Sequence, residues 1–404
     1  MSVPEHLKNA QSRPKSFWER AIEGNGVSPL AMCVKFKNPE AADRSFKILT
    51  RAMPAFNLAS DDEKFYSVRG PVVPLEIPEN IQTTEEGMNW ISEKFYTQEN
   101  RLGLIAKRSD MIALLASHAV TDGTSIAFWA EHCLDDTLPD APIFPYSMDE
   151  YFGELSKKSS HDFPEYIKCA TLKYKNEPEE QKDKFLPWAN TECPIEKLSC
   201  YDPELKRPHK LLENVWTALI LAVSSYNGAF DRIGSVTSID LRRFTENPND
   251  TGFGLAVSGF SVNVKDITVK STLEELGDSM RREYKRLCDD GVQFARLDFN
   301  SHFDPSDGPV SDIANLGSIK LDKDVEDVSV CVRVPYIPLN EFYNMSYTKV
   351  FEDKSIFFMR TSYVPSKLRP EEIKSIRNKI EYVLTSINHH TTTIEEALKQ
   401  LEKI

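Results

Sequence analysis

The sequence predicts an α/β protein built as two layered α+β sandwiches of similar size, joined by a crossover. Three observations lead there. The chain has 404 residues, enough for two domains of ordinary size with proper cores. Helical and extended hydrophobic patterns alternate along both halves, with no repeat and no low-complexity tract. Between them, residues 155–200 turn charged and proline-bearing (SKKSSHDFPEY, KNEPEEQKDKFLPW) and sustain neither period, as a linker does. The division that follows is a first half at 1–160, a crossover at 161–200 and a second half at 201–404.

In order, PLAMCVKFKN (29–38) reads as a strand and PEAADRSFKILTRAMPAF (39–56) as a helix, with Phe46, Ile48, Leu49 and Met53 on one face. Residues 83–97 open with capping and acidic residues, as a helix does. RLGLIAKRSD (101–110) and MIALLASH (111–118) are two strands joined through KRSD, and TSIAFWAEHCL (124–134) is a short helix. In the second half, 209–228 is a strongly apolar helix, RIGSVTSIDLRRF (232–244) a strand ending in charge, and 271–291 an amphipathic helix closed by Gly291. DVSVCVRVPYIP, FYNMSYTKVF and SIFFMRTSYVP are strands, the last two forming a hairpin over EDK, and 370–390 is the closing helix.

Composition narrows the function. With 49 basic and 62 acidic residues the formal net charge is −13, which argues against a protein whose task is gripping nucleic acid or an anionic membrane. The seven cysteines are scattered with no C-x-x-C pair, so neither a disulfide framework nor a metal site is expected. The N-terminus is polar, and no run approaches the ~18 apolar residues of a membrane span. A cytoplasmic protein without a transmembrane segment is the expectation.

The stretch LASHAVTDGTS (115–125) carries the chemistry. A strand apolar enough to be buried ends in His118, and Asp122 and Gly123 follow where the chain must turn. A neutral imidazole takes and returns a proton near neutral pH without special tuning. Asp122 is placed to anchor the loop through a cation from elsewhere in the chain, and Gly123 permits torsions other residues resist. The same letters also fit a histidine at a strand end followed by an ordinary Asp-Gly turn.

The strand, the motif and the helix after it resemble the HxxxD(G) acyltransferase superfamily built on chloramphenicol-acetyltransferase-like halves. That superfamily includes fungal alcohol acetyltransferases, trichothecene acetyltransferases, plant BAHD enzymes and peptide-synthetase condensation domains. In SHAVTDG, residues His118, Asp122 and Gly123 match, while Ser117 replaces the first His of the HHxxxDG form. In SVTSIDLRRF (235–244), Asp240 and Arg242 match the family's Asp-x-Arg element, whose arginine pairs with the motif aspartate; read alone, DLRR is a solvated strand end. SDIANLGSI (311–319) resembles the S-N-L-G strand bordering the tunnel of alcohol-acetyltransferase-like members, the branch the chain resembles most, although Asn-x-Gly is otherwise a common turn. No DFGWG stretch is present, unlike in plant BAHD enzymes.

The resemblance implies two chloramphenicol-acetyltransferase-like halves with a tunnel between them, in a monomer. It implies transfer of an acyl group, such as acetyl, from acyl-CoA to a hydroxyl or amine of a small molecule, with His118 as general base and no permanently bound cofactor. Asp122, Gly123, Asp240 and Arg242 are then structural at the site, and Asn315, Gly317, Ser346 and Thr348 are tunnel or oxyanion candidates. A carrier-protein-dependent condensation-type protein and an inactive binding protein of the same fold are the alternatives, and a structural α/β protein with a mere turn at 117–123 is the third. His132 reads as a packing histidine, His389 and His390 as capping residues, and Cys133 carries no sign of a lowered pKa.

Overall fold

MIALLAS stays extended because every residue of it is buried: the strand Met111–Ser117 lies at the centre of a sheet covered by helices. The structure is a computed structural model and describes residues 7, 9–24, 29–94, 101–158, 168–176, 185–246, 252, 254–294, 308–334 and 341–404. The sheet runs Val325–Val332, Pro29–Phe36, Met111–Ser117, Gly103–Arg108, Leu75–Glu76. Helices Pro39–Ala52, Thr84–Ser92 and Gly123–Glu131 pack on it. Its first strand comes from late in the chain: Val325–Val332 lies antiparallel to Pro29–Phe36 and completes the edge.

A six-stranded sheet organises the second lobe in the order Val257–Asn263, Gly234–Asp240, Val310–Lys320, Glu341–Val350, Ser355–Ser362, Trp188–Pro194. Gly234–Asp240, Val310–Lys320 and Glu341–Val350 are parallel to one another, and the outer pairs are antiparallel. The apolar helix Leu211–Asn227 is buried through most of its length because it packs on this sheet and against Leu273–Asp289, Pro370–Ser386 and Ile394–Leu401. Each lobe has its own core. One gathers around Leu30, Phe56, Leu114 and Trp129, the other around Trp216, Phe260, Ile376 and Met359. The architecture is therefore the mixed α/β, two-lobed one that the sequence predicts.

Several elements differ from expectation in instructive ways. The helix expected over 39–56 stops at Ala52, and Pro54–Asn57 forms a 3-10 turn, because Pro54 lacks the amide an α-helix needs. The strand expected over 232–244 stops at Asp240, whose side chain accepts from the Arg242 backbone N–H (3.1 Å) and caps a 3-10 turn over Leu241–Phe244. Trp188–Pro194, inside the expected linker, is a sheet-edge strand with Thr191 and Cys193 buried and Glu192 and Pro194 exposed. Gly291 does follow the helix Leu273–Asp289 in a left-handed conformation (φ 77°), and the hairpin over EDK is present.

Candidate active site

Ser117 explains how the chain manages with a serine before His118. It is buried, its side chain accepts from the Ala119 N–H (3.3 Å) and its carbonyl accepts from the Val120 N–H (3.1 Å), so it starts the turn. The turn then delivers Asp122 as the N-cap of helix Gly123–Glu131, with Oδ1 accepting from the Ser125 N–H at 2.8 Å.

Asp122 is 1% exposed and is held from the other lobe. Arg242 donates to it through both terminal nitrogens, at 3.2 Å to Oδ1 and 2.9 Å to Oδ2, and the Ala256 N–H donates to Oδ2 at 2.6 Å. The same guanidinium donates to Asp240 Oδ1 (2.9 Å) and to Ser125 Oγ (2.7 Å), and Ser125 donates to the Gly254 carbonyl. Burial pushes the Asp122 carboxyl up, but the Arg242 charge and the hydrogen bonds from Arg242, Ser125 and Ala256 outweigh it and hold it below its usual value. Burial raises Asp240 instead, with the nearby Asp122 charge adding to the effect and Arg242 opposing it. One cation thus serves two carboxylates, and Asp122 has the larger share.

His118 makes no hydrogen bond to Asp122. It is half-buried and lines a cavity of about 410 Å³ between the lobes. Its Nδ1 is buried in the turn beside the backbone of His118 and Thr121. Burial pulls the imidazole below its ordinary value of 6.5, more than the backbone and the Asp122 charge raise it, so the ring is neutral at neutral pH.

The cavity wall opposite the motif is the strand Val310–Lys320. Its register breaks between Asn315 and Ser318, where Asn315 Oδ1 accepts from the Gly317 N–H (2.9 Å) and Gly317 sits at φ 77°, a torsion that favours glycine. The bulge turns Leu316 toward the motif: a Cβ added to Gly123 would lie 2.6 Å from Leu316 Cδ2. A side chain at position 123 would have to displace the tip of Leu316.

His118, Gly123, Asp240, Asn315 and Gly317 therefore share one cavity, with Asp122 and Arg242 directly behind it. Ser346 and Thr348 do not join them. Tyr343 on the same strand lines the cavity, and the period of two sends 346 and 348 to the opposite face, where both are buried. The sequence reading passed over Asp312 and Tyr343, both in the wall; the alternation through Ala314 is the signal that would have placed Asp312 there. Cys133 is buried outside the cavity with its thiol pushed up to about 12 by burial. His132 ends its helix beside Phe128 and Asp135, and His389 meets the Val383 carbonyl (2.9 Å) at a helix end. Among the described residues no cluster of His, Cys, Asp and Glu is arranged to hold a metal, and no helix is long and apolar enough to cross a membrane.

No protein-family model and no curated sequence matches the chain. Solved structures do. The first condensation domain of the calcium-dependent antibiotic synthetase, in complex with a substrate analogue, aligns over 96% of this chain and 99% of its own at TM-score 0.68 and 12% identity. The starter condensation domain of rhizomide synthetase, a double mutant with C8-CoA and Leu-SNAC, aligns over 95% and 96% at 0.63 and 12%. Trichothecene 15-O-acetyltransferase from Fusarium sporotrichioides aligns over 95% and 99% at 0.60 and 11%. Over nearly its whole length the chain has the fold that these condensation domains and this acetyltransferase share.

Proposed function

We propose that the protein is an acyltransferase that moves an acyl group, such as acetyl, from acyl-CoA to a hydroxyl or amine of a small molecule, with His118 as general base. One observation carries this reading. His118 opens onto an inter-lobe cavity with a depressed pKa, while the neighbouring carboxylate is turned away and saturated by Arg242. The pair is thus split into a base and an anchor.

In the proposed reaction the acceptor O–H or N–H gives its proton to the His118 imidazole as its heteroatom bonds to the thioester carbonyl carbon. The tetrahedral intermediate then collapses, the C–S bond breaks with its electron pair on sulfur, and the imidazolium returns the proton to the CoA thiolate. No covalent acyl-enzyme is needed. Asn315 uses Oδ1 for Gly317, which leaves its Nδ2 as the donor offered to the developing oxyanion. The division at 1–160, 161–200 and 201–404 is proposed as the order of the lobes along the chain, with Trp188–Pro194 joining the second lobe's sheet and Val325–Val332 the first lobe's; a monomeric state and a cytoplasmic location are part of the same proposal.

The test is direct. Purified protein, acetyl-CoA and a panel of alcohols and amines are mixed and free thiol is followed. His118→Ala is expected to lower the rate by about 10²–10⁴-fold, the usual worth of a positioned base. An unchanged rate removes His118 from that role. The likeness to condensation domains supports a second reading, in which the donor is an acylated carrier protein; thiol release from acyl-phosphopantetheinyl carrier and none from acetyl-CoA would select it.

A further inference from the structure

Asp312 is the one carboxylate in the cavity wall that the proposed chemistry does not use. It lies mid-sheet on Val310–Lys320, in register with Val236 on one side and Tyr343 on the other, and is 7% exposed. All three residues, and Ala314 two positions on, line the cavity. Its Oδ1 is buried without a hydrogen-bond partner, the carboxylate is met by the Ile313 backbone N–H, and no cation among the described residues pairs with it. The other carboxylate in the wall, Asp240, has Arg242. Of the two arginines that also line the cavity, Arg281 is bonded to Glu213 and Arg243 is exposed.

We infer that Asp312 is a binding site for a cationic nitrogen carried by the acceptor. Reading it as an acceptor site rests on the acyltransferase proposal; the binding itself does not. A buried carboxylate without a counter-charge is unfavourable, and a ligand ammonium lowers that penalty by supplying charge and a hydrogen bond to the open Oδ1. An aromatic neighbour in register, Tyr343, suits an alkylammonium, which is attracted by ring faces as well as by carboxylates. A second anion would not be accepted there. Burial pushes the Asp312 carboxyl up to about 7, against the Ile313 N–H that lowers it, which is the direction a nearby cation would reverse.

The acceptor class is therefore an amino alcohol or diamine, with its reacting group at His118 and its cationic nitrogen at Asp312.

The test uses 6-amino-1-hexanol against 1,6-hexanediol, its uncharged counterpart, titrated by NMR at pH 8 without acyl donor. The wild-type protein is expected to bind the amino alcohol at least about tenfold more tightly. Asp312→Asn should bring the ratio close to one with the circular dichroism spectrum unchanged. Equal affinities in the wild type, or no binding of the amino alcohol, overturn the inference without any variant being needed. A folded Asp312→Asn that keeps the preference overturns it as well. His118→Ala should retain the preference while losing turnover, so failure of the base assignment and failure of this site give different results.

Discussion

Asp122 receives hydrogen bonds from Ser125, Ala256 and both ends of the Arg242 guanidinium, and its acceptor capacity is filled. At the residue scale that makes Arg242 a positioning group whose loss strands a buried charge. Arg242→Ala is expected to lower unfolding free energy by about 3–5 kcal/mol in urea titrations. Arg242→Lys should recover little of it, because a single ammonium cannot bond both carboxylate oxygens and Asp240 in one plane. The pH dependence follows from the depressed His118 pKa. A base must be neutral, so kcat/KM should be level at pH 7 and fall on the acid side with a midpoint below 6.5. A midpoint at or above 6.5 would contradict the burial of the ring. Asp312 runs the other way. Its folded-state pKa is raised above the unfolded value, so its stabilising contribution is full below about pH 4 and is lost as pH rises toward about 7. Asp312→Asn should accordingly raise the Tm of the ligand-free protein at pH 8 more than at pH 4.

Elements matter through the places where they touch. The helix Gly123–Glu131 and the strand Val310–Lys320 approach so closely that a side chain at 123 fits only if Leu316 turns aside. Gly123→Ala should fold, since the atom in the way is the tip of a leucine, but Leu316 must turn into the cavity. The expected result is a raised KM with Tm changed by only a few degrees, and Leu316→Ala in the same chain should restore part of the loss. The bulge that presents Leu316 depends on Gly317 at φ 77°, so Gly317→Val is expected to harm the same step by straining the backbone.

For the whole molecule, the local parts of the site were legible and the long-range parts were not. His118, Asp122 and Gly123 stand together in eleven residues after an apolar run, and strand, turn and helix all follow from pattern. That Arg242 meets Asp122 came only from family resemblance, since nothing in DLRRF announces a partner 120 residues away. Asp312 escaped because a lone aspartate in SDIANLGSI looks solvated until the sheet closes over it. Trp188–Pro194 reads as linker because it follows a charged, proline-bearing stretch and its own alternation, with Thr191 and Cys193 buried and Glu192 and Pro194 exposed, is only four residues long. Val257–Asn263 was missed for a related reason: VSGFSVN is polar and carries Gly259 mid-strand, where it faces the cavity.

Nor does any local pattern say that Val325–Val332 crosses to the first lobe's sheet, because pairing partners are not encoded in a strand's own letters. That crossing governs how the chain can be cut. Separate expression of the segments before and after residue 180 would leave Pro29–Phe36 with a bare edge and send Val325–Val332 out with the wrong fragment, an apolar ribbon open to self-association. Complementation between such fragments should yield aggregate when each is made alone and active protein only on co-expression. Grafting 322–334 onto the first fragment should make that fragment soluble.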